Sequence, residues 1–209
     1  MILILNGASS SGKTALARAL QVRWPSPMLH LGTDTAISML PASYVGMKPS
    51  AREGIELYDD TDERGPVVRV RSGPVGRKLV ASFSRAARVL AEDGHDLVLD
   101  LVLFDPSSVA SYVRALRGHR TYLIGVHCDL AVLEARELAR GDRFQNLARA
   151  QHSVVHEYRG FYDLEVDYTT NLQGEQGTPV AEGWEYNSHD NPHFLTVEEL
   201  RELNEEKNT

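Results

Sequence analysis

The chain is 209 residues long and has one cysteine, Cys128, so it can form no intramolecular disulfide. That excludes a disulfide-held scaffold and makes a reducing compartment the simple expectation. Long apolar runs are also missing: none approaches the ~20 residues of a membrane-spanning helix. The opening run, residues 2–5, is too short for a signal-peptide core and has no basic stretch before it. A cytoplasmic protein without a membrane partner is expected. Positive charge is short as well, with 22 Lys and Arg against 29 Asp and Glu, a net charge of −7. General nucleic-acid binding needs clustered cations to displace counterions, so no nucleic-acid partner is expected. Internal repeats are absent, and so is the guanine-recognition pattern Asn-Lys-x-Asp. His152 and His156 are spaced for one helix face but lack the glutamate of His-Glu-x-x-His.

What is present fits an ordinary globular chain: 42% apolar and 24% charged residues, enough for one domain with a substantial core. Short apolar runs alternate with helical periodicity. Residues 2–6, 28–32, 97–99, 122–127 and 164–168 read as strands. The stretches 13–24, 35–40, 77–92, 107–116, 131–140 and 144–158 read as helices. Trp24-Pro25 and Gly94 are placed to end two of these helices, and Asp105 to start another. Leu133 and Leu138 are assigned to the apolar side of the helix over 131–140. The alternation implies a parallel sheet covered on both faces, with ligands at the carboxyl ends of its strands.

Residues 41–73 interrupt this rhythm with Pro, Gly and charge. Positions 67–71 alternate apolar and basic residues as an exposed strand would. The segment reads as a hairpin-bearing excursion that faces an acceptor, with Tyr44, Met47 and Tyr58 as candidate lining. After Tyr168 the composition becomes polar and Gly-rich. Residues 171–209 read as an irregular extension with a short helix near 197–203.

Gly7-Ala8-Ser9-Ser10-Ser11-Gly12-Lys13-Thr14 matches G-x-x-x-x-G-K-[ST] at every fixed position, between a strand and a helix. The chemistry needs these types. The glycines let backbone N–H groups turn inward around a phosphate, and the helix start adds the positive end of its dipole. Lys13 reaches the β- and γ-phosphates, and the Thr14 hydroxyl ligates Mg²⁺. The fold expected is therefore the α/β P-loop three-layer sandwich: about five parallel strands, helices on both faces, and a lid over 140–152.

Three further features lie near this loop in such a fold. Asp34, in HLGTDT, follows the second strand and is placed either to take the proton of an attacking hydroxyl or to cap the next helix. Asp100 ends the run LVLD, as a metal-binding carboxylate would. Arg136, Arg140 and Arg143, in EARELARGDR, suit a lid that stabilises a transferring phosphoryl group, or a solvated helix whose Glu134 and Glu137 pair with them.

In order along the chain, ILNGASSSGKT, GTD, VLD, IGVHCDLAV, EARELARGDR and VVHEY…YDLEVDYT resemble the chloramphenicol phosphotransferase family of small P-loop kinases. The resemblance spans about residues 2–170 and stops before the tail. It implies ATP with Mg²⁺ at Gly7–Thr14, Asp34 as general base and the ARGDR arginines in a lid. The implied acceptor is a hydroxyl on a small molecule, the primary hydroxyl of chloramphenicol in the named member. One departure stands out: the family pattern has a second acidic residue after the position of Asp100, where this chain has Leu101. Competing readings are a nucleotide, sugar or nucleotide-sugar kinase, and a non-catalytic ATP-binding module.

Overall fold

Strand β1 (Ile2–Asn6) is buried at all five positions, as a central strand covered on both faces must be. The computed structural model describes residues 1–141, 144–157 and 162–169. On either side of β1 lie β2 (Met28–Gly32), β6 (Asp96–Leu101), β7 (Thr121–His127) and β8 (Leu164–Asp167). They form one sheet in the order β2-β6-β1-β7-β8, with every pair parallel. All five strands coincide with the expected ones to within two residues.

The period-2 alternation of side chains divides the core into two layers. Ile2, Ile4, Leu97, Leu99 and Leu101 face Phe83, Ala87, Tyr112 and Ala115, which belong to α3 (Pro74–Glu92) and α4 (Pro106–Ala115). Leu3, Leu5, Val98, Ile124 and Val126 face the other way, toward Leu16, Ala17 and Trp24. Leu16 and Ala17 lie on α1 (Lys13–Arg23). Asp105 caps α4 by accepting from the backbone N–H groups of Ser107 and Ser108, and Gly94 follows α3 with φ 88°.

Some local expectations need correction. Leu138 is 68% exposed. On α5 (Leu130–Arg140) the residues that point inward are Leu133 and Glu137, one turn apart; Leu138 is rotated well away from them. The helix expected over 144–158 is shorter, α6 (Leu147–His152), so His152 and His156 do not share a helix face. The helix after β2 is α2 (Thr33–Ser38).

The excursion over 41–73 builds a second, smaller sheet. It contains the two-residue strand β3 (Val45–Gly46) and an antiparallel hairpin, β4 (Ile55–Asp62) with β5 (Gly65–Ser72). Its basic residues pair across the hairpin, Arg71 with Glu56 at 2.5 Å and Arg69 with Asp60 at 2.6 Å. β5 is not wholly exposed, because Val67 and Val68 are both buried. Val68 packs with Leu57 and with Leu147 of α6, which turns one face of the hairpin inward.

Candidate active site

Residues 7–12 leave the carboxyl end of the central strand and lead straight into α1, whose first residue is Lys13. The loop is tightly enclosed. A side chain at Gly7 would come within 2.5 Å of the Val126 carbonyl oxygen, and one at Gly12 would strike the Tyr168 ring. Gly12 has φ 99°, and Ser10 adopts φ 65°, which is uncommon outside glycine. The positive angles curl the backbone into a cradle of the kind that receives phosphate oxygens. Ala8 and Ser11 are buried. Among the described residues, the Ser10 and Ser11 hydroxyls are buried without a hydrogen-bond partner.

Lys13 is buried, and its Nζ donates to the Ala8 carbonyl at 2.8 Å. The same ammonium lies 3.9 Å from Asp100 Oδ1. The Thr14 hydroxyl donates to Asp100 Oδ2 in a short hydrogen bond. Strand alternation explains this meeting. Asp100 shares a face with Val98, the face that α1 covers, whereas Leu101 is buried in the opposite layer. A carboxylate at position 101 would therefore point away from Thr14.

Burial pushes the Asp100 carboxyl up, but His30, the Lys13 charge and the Thr14 hydroxyl outweigh it and hold the group below its ordinary range. His30 Nε2 lies 3.8 Å from Asp100 Oδ2. Two touching oxygen donors, one anionic, suit a hard cation such as Mg²⁺, which takes one or two protein oxygens and completes its shell with water and phosphate. Among the described residues there is no group of three or more His, Cys, Asp or Glu that could hold a metal on its own.

Asp34 stands at the same end of the sheet. Gly32 pairs in register with Asp100, and Asp34 follows two residues later in the first turn of α2, exposed. It is not the cap of that helix, because the capping position belongs to Gly32.

The opposite flank of the loop, beside β7 and β8, is built differently. Arg136 is half-buried there. Its Nη1 donates to Cys128 Sγ at 3.1 Å and, more weakly, to the Ser10 carbonyl at 3.5 Å. Its Nη2 donates to the carbonyls of Tyr168 at 3.0 Å and Thr169 at 3.2 Å. Arg140 lies one turn further on and is exposed. Arg143 lies outside the described residues, as does the extension over 171–209. The two glutamates of α5 reach the elements around the helix. Buried Glu137 accepts from the backbone N–H groups of Asn146 at 2.6 Å and Ala148 at 2.8 Å. Glu134 pairs with Arg64 of the hairpin turn at 3.2 Å and with Arg149 at 3.8 Å.

Three residues near the loop escaped the sequence reading. His30 was accessible to it, because residue 30 shares a strand face with residue 32, which precedes Asp34. A polar residue on the inward face of α6 was the signal for Gln151. Tyr168, whose ring lies over Gly12, left no local sign.

A parallel sheet of this order, with G-x-x-x-x-G-K-T at the carboxyl end of its central strand, defines a P-loop nucleotide-binding fold. Solved structures agree on the fold. A sugar kinase from Janibacter superposes with TM-score 0.52 at 12% identity, over 80% of this chain and 84% of its own. A gluconokinase from Sinorhizobium meliloti gives 0.52 at 15% identity, over 79% and 81%. In sequence, proteins from two strains of Mycobacterium tuberculosis, provisionally named O-phosphotransferases, are 29% identical over 188 residues, which is 88% of this chain and 82% of theirs. The family model described as chloramphenicol phosphotransferase-like protein matches residues 1–185. This chain belongs to that family. It is a kinase, an enzyme that transfers phosphate to a hydroxyl group. The match runs past residue 170, where the resemblance was expected to stop.

Proposed function

We propose that the protein transfers the γ-phosphate of ATP to a hydroxyl of a small molecule, with a chloramphenicol-like antibiotic as the first candidate acceptor. The observation that carries this reading is the contact of the Thr14 hydroxyl with the Asp100 carboxylate beside the Lys13 ammonium. It joins the loop to the strand pair whose ends lead to Asp34.

In this reading the backbone of Gly7–Thr14 cradles the phosphates and Lys13 offsets charge on the β- and γ-phosphates. Thr14 and Asp100 would hold Mg²⁺, which supplies further charge neutralisation at the phosphates when bound. Asp34 accepts the proton of the acceptor hydroxyl as its oxygen bonds to the γ-phosphorus. The bond from that phosphorus to the β–γ bridging oxygen breaks, and ADP leaves. Arg136 fixes the loop from the β7–β8 side, while Arg140 and Arg143 belong to the segment that closes over the transferring group. The acceptor enters from the side of Asp34, and residues of the 41–73 excursion line its pocket.

Incubation with γ-labelled ATP and a panel of chloramphenicol, hexoses and nucleosides tests the proposal. Label on chloramphenicol is the expected result. Label on a hexose or nucleoside alone would overturn the choice of acceptor. Label recovered only as inorganic phosphate, whatever acceptor is present, would overturn the transfer reading.

A further inference from the structure

The third residue of the phosphate loop is held from outside the loop. The Ser9 backbone N–H donates to Oε1 of Gln151 at 2.7 Å, and Gln151 is only 9% exposed. Its helix is pinned from several directions. Glu137 accepts from the N–H groups of Asn146 and Ala148 at the start of α6. Leu147 packs into the apolar face of the hairpin. Arg149 donates to the Pro66 carbonyl at 2.6 Å and pairs with Asp62 at 3.1 Å. Just after the helix, the Val155 carbonyl accepts from Asn6 Nδ2 at 2.9 Å, at the residue that precedes the loop. Gln151 is thus presented to Ser9 from a rigid mount.

We propose that Gln151 is a positioning residue of the nucleotide site: it holds the first half of the phosphate loop in its receiving geometry through the Ser9 N–H. The residue type fits the task. An aliphatic side chain here would leave a half-buried donor unpaired, which strains or reorients the loop. A carboxylate would keep the hydrogen bond but set a negative charge beside the phosphates. A neutral acceptor avoids both costs.

The inference rests on the loop holding a nucleotide's phosphates. The experiment is calorimetric titration of the full chain with AMPPNP and Mg²⁺, comparing wild type, Gln151→Leu and Gln151→Glu, with thermal denaturation of each protein without nucleotide. Gln151→Leu is expected to bind about tenfold more weakly, the equivalent of one lost hydrogen bond. Gln151→Glu is expected to melt with wild type yet bind more weakly at low salt, with the deficit shrinking as salt screens the added charge. A purely structural role would not produce that salt dependence. Should Gln151→Leu fail to fold, Gln151→Glu decides alone.

Wild-type affinity in every folded variant would overturn the proposal. So would tighter binding by Gln151→Leu, which would make Gln151 a competitor of phosphate for the Ser9 N–H. A wild-type protein that binds no AMPPNP would fell the nucleotide reading itself, and this inference with it.

Discussion

The two flanks of the phosphate loop solve different problems. On the β2–β6 side, Asp100, Thr14, Lys13 and His30 bring polar and charged groups within contact or near-contact of one another, and Asp34 stands exposed beyond them. On the β7–β8 side, Arg136 and Gln151 bond mainly to backbone atoms, at Ser10, Tyr168, Thr169 and Ser9. The first flank concentrates groups that phosphoryl transfer can use. The second fixes the backbone on which those groups depend. A cradle made of backbone N–H groups needs both, since its donors are only as well aimed as the chain that carries them.

The largest effect should come from breaking the first flank. Lys13→Met keeps the buried stem, removes the charge, and should lower phosphoryl transfer by at least about a hundredfold. Steady-state assays with γ-labelled ATP check this. Breaking the second flank should act on stability. Glu137→Ala leaves two N–H donors at the start of α6 without their acceptor, at a cost of about 3 kcal/mol. Denaturant unfolding should show the loss, with a melting temperature lower by roughly 6–12 °C for a domain of this size.

A third difference concerns pH. The Asp100 carboxyl is held below its ordinary value of 3.8 in the folded protein, because its partners outweigh the cost of burial. Its contribution to stability is therefore fully present above that value and is lost as pH falls through the lower folded value. Asp100→Asn removes the contribution, so its stability should fall less steeply than wild type in the acid limb. Urea unfolding across pH 5 to 2 (about the range of carboxylate titration) makes the comparison. The smallest effect belongs to the hairpin's edge. Arg64→Ala breaks an exposed pair with Glu134 and should cost no more than about 1 kcal/mol in denaturant unfolding. A larger loss would mean that the turn is a principal anchor of the hairpin.

The same two flanks explain what could be read from the sequence. Strand ends announce themselves. LVLD and HLGTD each close an apolar run with a carboxylate, and the loop motif tells which end of the sheet matters. The positions of Asp34 and Asp100 at that end of the sheet, and the five parallel strands, were legible for that reason. The α5–α6 flank was not, because its logic lies in contacts between distant positions. Glu137 looked like one more charge on a solvated helix, yet it points inward beside Leu133 and binds backbone N–H groups. Arg136 has the spacing of a lid arginine, but its hydrogen bonds run to carbonyls near residue 168. Over 67–71 the alternation suggested an exposed strand, and the neighbouring α6 buries part of it instead.

The central claim is that Asp34 acts in transfer and not in holding the nucleotide. The direct measurement pairs two readings on Asp34→Asn: AMPPNP affinity by calorimetry, and transfer of label from γ-labelled ATP to the acceptor identified in the panel. Asp34→Asn should keep wild-type affinity and lose roughly a hundredfold to ten-thousandfold in transfer. Transfer at the wild-type rate would contradict the claim.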